Sequence, residues 1–160
     1  MIKLENITFK YDKIIIDGIN LNIQKSKVTF IIGANGSGKS TLANIISGLL
    51  YPVSGKLSID DITINKKTDN KLIRNKVGIV FQNPSNQIIF SKVYDDIKFT
   101  LENMKVEKTL IPEIIKDSLK KVNMENFMNT NPYELSGGEQ QRIAIASQLS
   151  LNPDYLIFDE

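Results

Sequence analysis

At 160 residues the chain is long enough for one domain with a real hydrophobic core and short for two. With 41% hydrophobic and 24% charged residues it sits near the averages for globular domains, which excludes a disordered tail or a collagen-like fibre. The net charge of +2, spread over interspersed acids and lysines such as the pairs Lys25/Lys27, Lys66/Lys67 and Lys120/Lys121, is too small to argue for nucleic acid.

No apolar run reaches the roughly 18 residues that a spanning helix needs. The N-terminus has no signal-peptide block, so the cytoplasm is the expected address. The absence of Cys removes disulfides and thiolate metal sites, and the absence of His removes His-based bases, triads and zinc sites. Chemistry falls to carboxylates, Lys, hydroxyls and a metal held through oxygen.

Residues 2–24 read as strands. Ile7, Phe9 and Tyr11 alternate, Ile19, Leu21 and Ile23 alternate with Asn20 and Asn22, and Asp17-Gly18 is expected to turn the chain between them. Val28-Thr29-Phe30-Ile31-Ile32 has the pattern of a strand buried on both faces. A glycine-rich loop follows, and then Leu42, Ile45, Ile46 and Leu49 form one apolar helical stripe, ended by Gly48 and Pro52. Residues 55–64 read as a strand pair bending at Asp60-Asp61. Val77-Gly78-Ile79-Val80-Phe81 is a second buried strand, ending at the turn-rich Gln82-Asn83-Pro84-Ser85. Residues 93–128 are helical in pattern, with Ile97, Leu101 and Met104 followed by Ile114, Ile115, Leu119 and Val122. Asn131-Pro132 breaks the chain, residues 137–151 read as a helix, and Tyr155-Leu156-Ile157-Phe158 as a third buried strand. Strands alternating with helices argue for an α/β protein with a mostly parallel sheet.

Gly33-Ala34-Asn35-Gly36-Ser37-Gly38-Lys39-Ser40 stands between a strand pattern and a helix pattern, the order that makes a phosphate-binding P-loop. Gly33, Gly36 and Gly38 let the backbone bend around phosphates, and the N–H groups from Asn35 through Ser37 to the helix start form an anion nest. Lys39 adds a catalytic point charge for the β/γ-phosphates of ATP, Ser40 a hydroxyl for Mg²⁺, and Thr41 a further phosphate donor. Such NTPases need an acid at a strand end to orient Mg²⁺, and Asp159 supplies it. Glu160, one residue on, is the candidate base that polarises the attacking water. Taken singly, these motifs are also a glycine-rich turn before a core helix and a strand ending in two solvated acids. Their joint occurrence in this order favours the nucleotide site.

Leu135-Ser136-Gly137-Gly138-Glu139-Gln140-Gln141-Arg142, between the P-loop and Asp159-Glu160, resembles the signature of the ATPase domain of ABC transporters. That family usually has Gln where Glu139 stands here. Ser136 and Glu139 fit a capping box, in which either Glu or Gln at the later position can reach back to the N-cap N–H. Alone, the stretch is a helix cap followed by two glycines. The resemblance implies that Ser136, Gly137 and Gly138 contact the γ-phosphate bound by a second ATPase subunit, identical or paralogous, so that dimerisation is part of catalysis. It implies that Gln82 is the Q-loop glutamine, touching Mg²⁺ and the attacking water, where the residues alone give a polar turn. It implies that Tyr11 stacks on adenine, where the residues alone give a core aromatic.

Phe81-Gln82-Asn83-Pro84-Ser85-Asn86-Gln87-Ile88-Ile89-Phe90, then Val93-Tyr94-Asp95-Asp96-Ile97-Lys98-Phe99, is similar to the ATPases of energy-coupling-factor importers of vitamins or of cobalt and nickel. The implied fold is an α/β P-loop NTPase with a RecA-like core, an N-terminal antiparallel β subdomain and a helical subdomain at about 83–135, within one domain spanning 1–160. The implied partners are a transmembrane coupling protein and a substrate-binding membrane protein, at the cytoplasmic face of the membrane.

Members of this family continue past the acid pair with a D-loop and a switch histidine, whereas this chain stops at Glu160. It is therefore expected to be a fragment with an incomplete sheet, keeping nucleotide contacts, hydrolysing poorly and exposing apolar edges. Two other classes compete with an importer ATPase. One is a soluble ABC-type ATPase serving translation or DNA repair, which usually carries paired domains or coiled-coil insertions. The other is a nucleotide-binding module without catalysis.

Overall fold

The computed structural model describes residues 1–65, 68 and 70–159, the side chains of residues 70 and 71 excepted. The Lys66/Lys67 pair and Glu160 lie outside the described residues. Two compact units emerge, Met1–Val77 together with Asp159, and Gly78–Phe158.

The first unit is built on a four-stranded sheet of β1 (Ile2–Lys10), β2 (Ile14–Ile23), β3 (Ser54–Ile59) and β4 (Ile62–Ile64), in the order β2-β1-β3-β4. Every pairing in it is antiparallel, with Ile2 opposite both Ile23 and Ile59 and Leu4 opposite both Leu21 and Leu57. This is the N-terminal antiparallel β subdomain that the family resemblance implies. β1–β2 and β3–β4 are joined by short hairpin connections, which only antiparallel neighbours can use. Asn6, at φ 50, shifts the register after Leu4, so that burial skips from Leu4 to Ile7 and Phe9.

Asp60 and Asp61 form the expected bend, with φ of 47 and 67, as a two-residue hairpin demands. Asp17-Gly18, in contrast, lie inside β2, and the chain reverses at residues 11–13. The ladder explains this correction: Ile14 pairs with Lys10 and Ile16 with Phe9, so the strand has already begun, and Asp17-Gly18 fall at a register shift.

The apolar run at 28–32 is not a buried strand. It joins neither sheet, and Val28, Phe30 and Ile32 are each more than 80% exposed. An apolar run states what a strand would bury, but burial requires a partner on each side, and none of the described strands pairs with it. The helix after the loop, α1 (Lys39–Ile46), buries Leu42, Ile45 and Ile46. Gly48, at φ +74, stops it: Leu49 N–H reaches the Asn44 carbonyl at 2.9 Å and Gly48 N–H the Ile45 carbonyl at 3.1 Å, a Schellman motif. Leu49 lies beyond this stop and is partly exposed, so the stripe loses its last member. Helix α2 (Asn70–Lys76) escaped the pattern because Ile73 is its one buried apolar anchor among the described side chains.

In the second unit β5 (Val77–Val80) is buried throughout and pairs with β6 (Tyr155–Phe158). β6 forms where expected but is buried only at Tyr155, since β5 is its one hydrogen-bonded neighbour among the described residues. Between them run α3 (Val93–Asn103), α4 (Ile111–Lys121) and α5 (Gly137–Ser150). Their core is Val93, Ile97, Leu101, Ile115, Leu119 and Ile143, all essentially inaccessible. Among the described residues no helix is long and apolar enough to cross a membrane.

A side chain at residue 48 would meet Ile73 Cδ1 at 2.7 Å in a left-handed backbone. Gly48→Ala should therefore destabilise the chain by about 1–3 kcal/mol, read as a lower urea midpoint, and an unchanged midpoint would refute the C-cap role.

Candidate nucleotide-binding site

The P-loop residues converge at the start of α1. Gly38 is the N-cap, held at φ 94 and ψ 10, a left-handed conformation that favours glycine; an added Cβ would also stand 3.2 Å from Ile15 Cγ2. Having no side chain, Gly38 cannot cap the first turn of α1, whose leading N–H groups have no intrahelical carbonyl. The first helical bond comes from Leu42 N–H to the Gly38 carbonyl at 2.8 Å. The loop is tightened by Ser37 N–H to the Ala34 carbonyl at 3.2 Å. Asn35, Gly36 and Ser37 are exposed, while Gly38, Lys39 and Thr41 are half-buried. Open backbone donors at a positive helix end fit an anion such as a phosphate.

Lys39 folds back over this loop, its ammonium donating to the Gly33 and Ala34 carbonyls at 3.0 and 3.1 Å. Ser40 Oγ donates to Asp159 Oδ1 at 2.9 Å across 119 positions of sequence. Two hard oxygen donors side by side, next to a phosphate-accepting helix end, suit Mg²⁺, which takes oxygen ligands and completes its shell with water and phosphate. Tyr11 belongs to the same unit, past the end of β1, with its ring 60% exposed and edge-on to Phe9 at 4.9 Å between centroids. The core-aromatic alternative is thus excluded.

Gln82 and Ser136 to Gly138 belong to the second unit. Ser136 is the N-cap of α5, and the capping box forms in full. Ser136 Oγ accepts from Glu139 N–H at 3.4 Å, and Glu139 Oε2 accepts from Ser136 N–H at 2.9 Å and from its hydroxyl at 2.6 Å. These bonds hold the Glu139 carboxyl below its ordinary value. Ser136, Gly137 and Gly138 are exposed, and a Cβ added to either glycine would meet nothing within 4 Å. The helix end is therefore open to an approaching molecule.

Several polar residues shape this unit in ways that the sequence did not assign to them. Gln87 bonds the backbone of Ile79 and Phe81. Gln148, on α5, accepts from Ile79 N–H at 3.3 Å. Asp96 accepts the Ile89 and Phe90 N–H groups at 2.8 and 3.2 Å. Burial raises the Asp96 carboxyl above its ordinary value, against the pull of those two bonds. Tyr133 hydroxyl donates to the Ile88 carbonyl at 2.9 Å. A polar residue in a helix or turn pattern reads as solvated; only its acidic position in the first turn of α3 could have flagged Asp96.

An open P-loop joined to a strand-end acid defines a P-loop nucleotide-binding protein. The sequence profile of the ABC transporter family matches residues 16–160, and the chain belongs to that family. It is 44% identical to an energy-coupling factor transporter ATP-binding protein, EcfA1, of Mesomycoplasma hyopneumoniae, covering 100% of this chain and 60% of that protein. Against EcfA1 of Mycoplasmopsis pulmonis identity is 47%, with 100% and 61% covered. The chain thus spans about 60% of the length of the curated relatives it matches. Among solved structures, cbiO1 from Clostridium perfringens, described as part of the ABC transporter complex cbiONQ, matches with a TM-score of 0.87 and 36% identity over 99% of this chain and 64% of that one. The ATP-binding cassette MJ0796, solved as a dimer in a post-hydrolysis state with ADP and Pi, matches with a TM-score of 0.89 and 34% identity over 100% and 74%.

The capping box sets a pH dependence. Because the Glu139 pKa is lowered from 4.5, its bonds stabilise the fold above that pH, and their contribution is lost as pH falls through the lowered folded value. Ser136→Ala removes the main cause. The Glu139 carboxyl, followed by NMR titration, should move back up, with a stability loss of about 1 kcal/mol; an unmoved titration would contradict the box.

Proposed function

We propose that this chain is the ATP-binding portion of an ATP-hydrolysing subunit that powers uptake through a membrane importer of the energy-coupling-factor type. The observation that carries the proposal is the Ser40–Asp159 hydrogen bond of 2.9 Å, which joins the P-loop hydroxyl to the strand-end acid. The energy-coupling factor transporter relatives support the transporter class. The domain reading follows: residues 1–160 form one ABC-type ATP-binding domain, with about 83–135 as a helical subdomain.

The backbone donors from Asn35 to Thr41 cradle the phosphates, with Lys39 on the β/γ oxygens and Tyr11 against adenine. Ser40 and Asp159, and by the family resemblance Gln82, would hold Mg²⁺, which would supply charge neutralisation on the β- and γ-phosphates. Gln82 orients the attacking water and Glu160 polarises it as the base; the Glu160 role rests on sequence alone. Ser136, Gly137 and Gly138 complete the site of a second ATPase subunit, as the dimeric state of MJ0796 suggests. The remaining partners are a transmembrane coupling protein and a substrate-binding membrane protein, as membership of cbiO1 in a larger complex suggests, and the subunit works at the cytoplasmic face of the membrane.

Binding of a fluorescent ATP analogue tests the nucleotide site directly. Lys39→Ala should weaken binding by about tenfold or more, corresponding to one lost charged contact. Asp159→Asn should leave metal-free binding intact and remove most of the gain that Mg²⁺ adds. Affinity for ATP that ignores both substitutions would overturn the proposal.

A further inference from the structure

The segment leading into Gln82 is held by side chains on an edge where a strand could otherwise pair. Gln148 Oε1 accepts the Ile79 N–H at 3.3 Å, and Gln87 Nε2 donates to the Ile79 carbonyl at 3.0 Å. The other end of the same Gln87 amide, Oε1, accepts the Phe81 N–H at 2.8 Å. The Ile79 carbonyl and the Phe81 N–H point to one side of an extended chain, so a single amide reproduces both contacts of a ladder rung. Phe81 is covalently joined to Gln82, and its N–H bond therefore sets where the Gln82 backbone begins.

Gln87 is itself fixed. Asn83 Oδ1 accepts the Ser85 N–H at 3.2 Å and starts the 3₁₀ turn Pro84–Asn86, and Gln87 N–H closes it on the Pro84 carbonyl at 3.0 Å. Beyond the turn, Asp96 holds the Ile89 and Phe90 amides and Tyr133 the Ile88 carbonyl. The loop is thus tied at both ends to fixed elements of its own unit. The primary amide of Gln is long enough to donate and accept across this gap; Asn is one methylene shorter, an ionised Glu cannot donate, and Met has no donor and only a weakly accepting sulfur.

We infer that Gln87 is a positioning residue for Gln82, presenting it at the end of β5 through paired bonds to Ile79 and Phe81. This rests on the reading above that Gln82 contacts the nucleotide-bound metal.

The test uses the 160-residue chain, with Phe81 amide hydrogen exchange and ATP binding measured with and without Mg²⁺. Gln87→Met keeps the volume and removes both bonds. It should speed Phe81 exchange by about tenfold and cut the Mg²⁺-dependent gain in ATP affinity by about fivefold, with metal-free binding unchanged. A general loosening of the fold would lower metal-free binding as well. Gln87→Glu keeps the acceptor for Phe81 and gives a second handle if the Met variant does not fold. It should retain Phe81 protection to within about threefold of the parent. Equal loss of protection in both variants would overturn the inference. Gln82→Ala separates the two ideas. If it leaves the Mg²⁺ gain intact, the metal contact of Gln82 falls and the positioning role with it. If it removes the gain while Gln87→Met preserves it, the positioning role alone is overturned.

Discussion

A helix cannot bond its own first N–H groups, and what meets those groups decides what the two long motifs of this chain can do. At α1 nothing on the N-cap meets them, because Gly38 has no side chain and holds a left-handed backbone with φ 94. At α5 the same need is answered internally by the Ser136–Glu139 box. One helix start is therefore open to an external anion, and the other is already ordered while its glycines stay exposed. The rest of the site follows from this difference. Lys39 and Ser40 lie on the first turn of the open helix, which directs a charge and a hydroxyl to the place where the backbone donors point.

The acid that completes the site comes from the far end of the sequence. Asp159 follows Phe158, the last residue of β6, and its carboxylate accepts a hydrogen bond from the Ser40 hydroxyl. A carboxylate at a strand end is cheap to solvate when exposed and useful only beside a partner. The 2.9 Å contact with Ser40 supplies that partner.

In the second unit the polar side chains do the arranging. Asp96, Gln87, Gln148 and Tyr133 all bind backbone groups between Ile79 and Phe90. Irregular backbone beside a packed core must have its N–H and C=O groups paired, and side chains meet that need where no strand does. The hydrophobic core of Ile97, Leu101, Ile115 and Leu119 holds the helices; the amides and the carboxylate hold the loop that carries Gln82.

Local signals were legible in the amino-acid sequence. The capping box at Ser136, the Asp60-Asp61 bend and the helix stop at Gly48 each depend on residues within a few positions of one another, and each forms as read. Long-range facts were not. The pairing of β2 with β1 pulled Asp17-Gly18 into a strand, and the run at 28–32 stays exposed because strand burial is a property of neighbours. Whether Tyr11 is core or surface turned on where β1 ends, and tertiary structure decided for surface. The roles of Gln87 and Asp96 were not assigned from the sequence, because a hydrogen bond to backbone leaves no periodic trace. The sequence by itself determined which chemistry is available, from motif residues set by local geometry. Only the tertiary structure decided which distant groups meet, as with Ser40 and Asp159, since contact across 119 positions depends on the packing of everything between them.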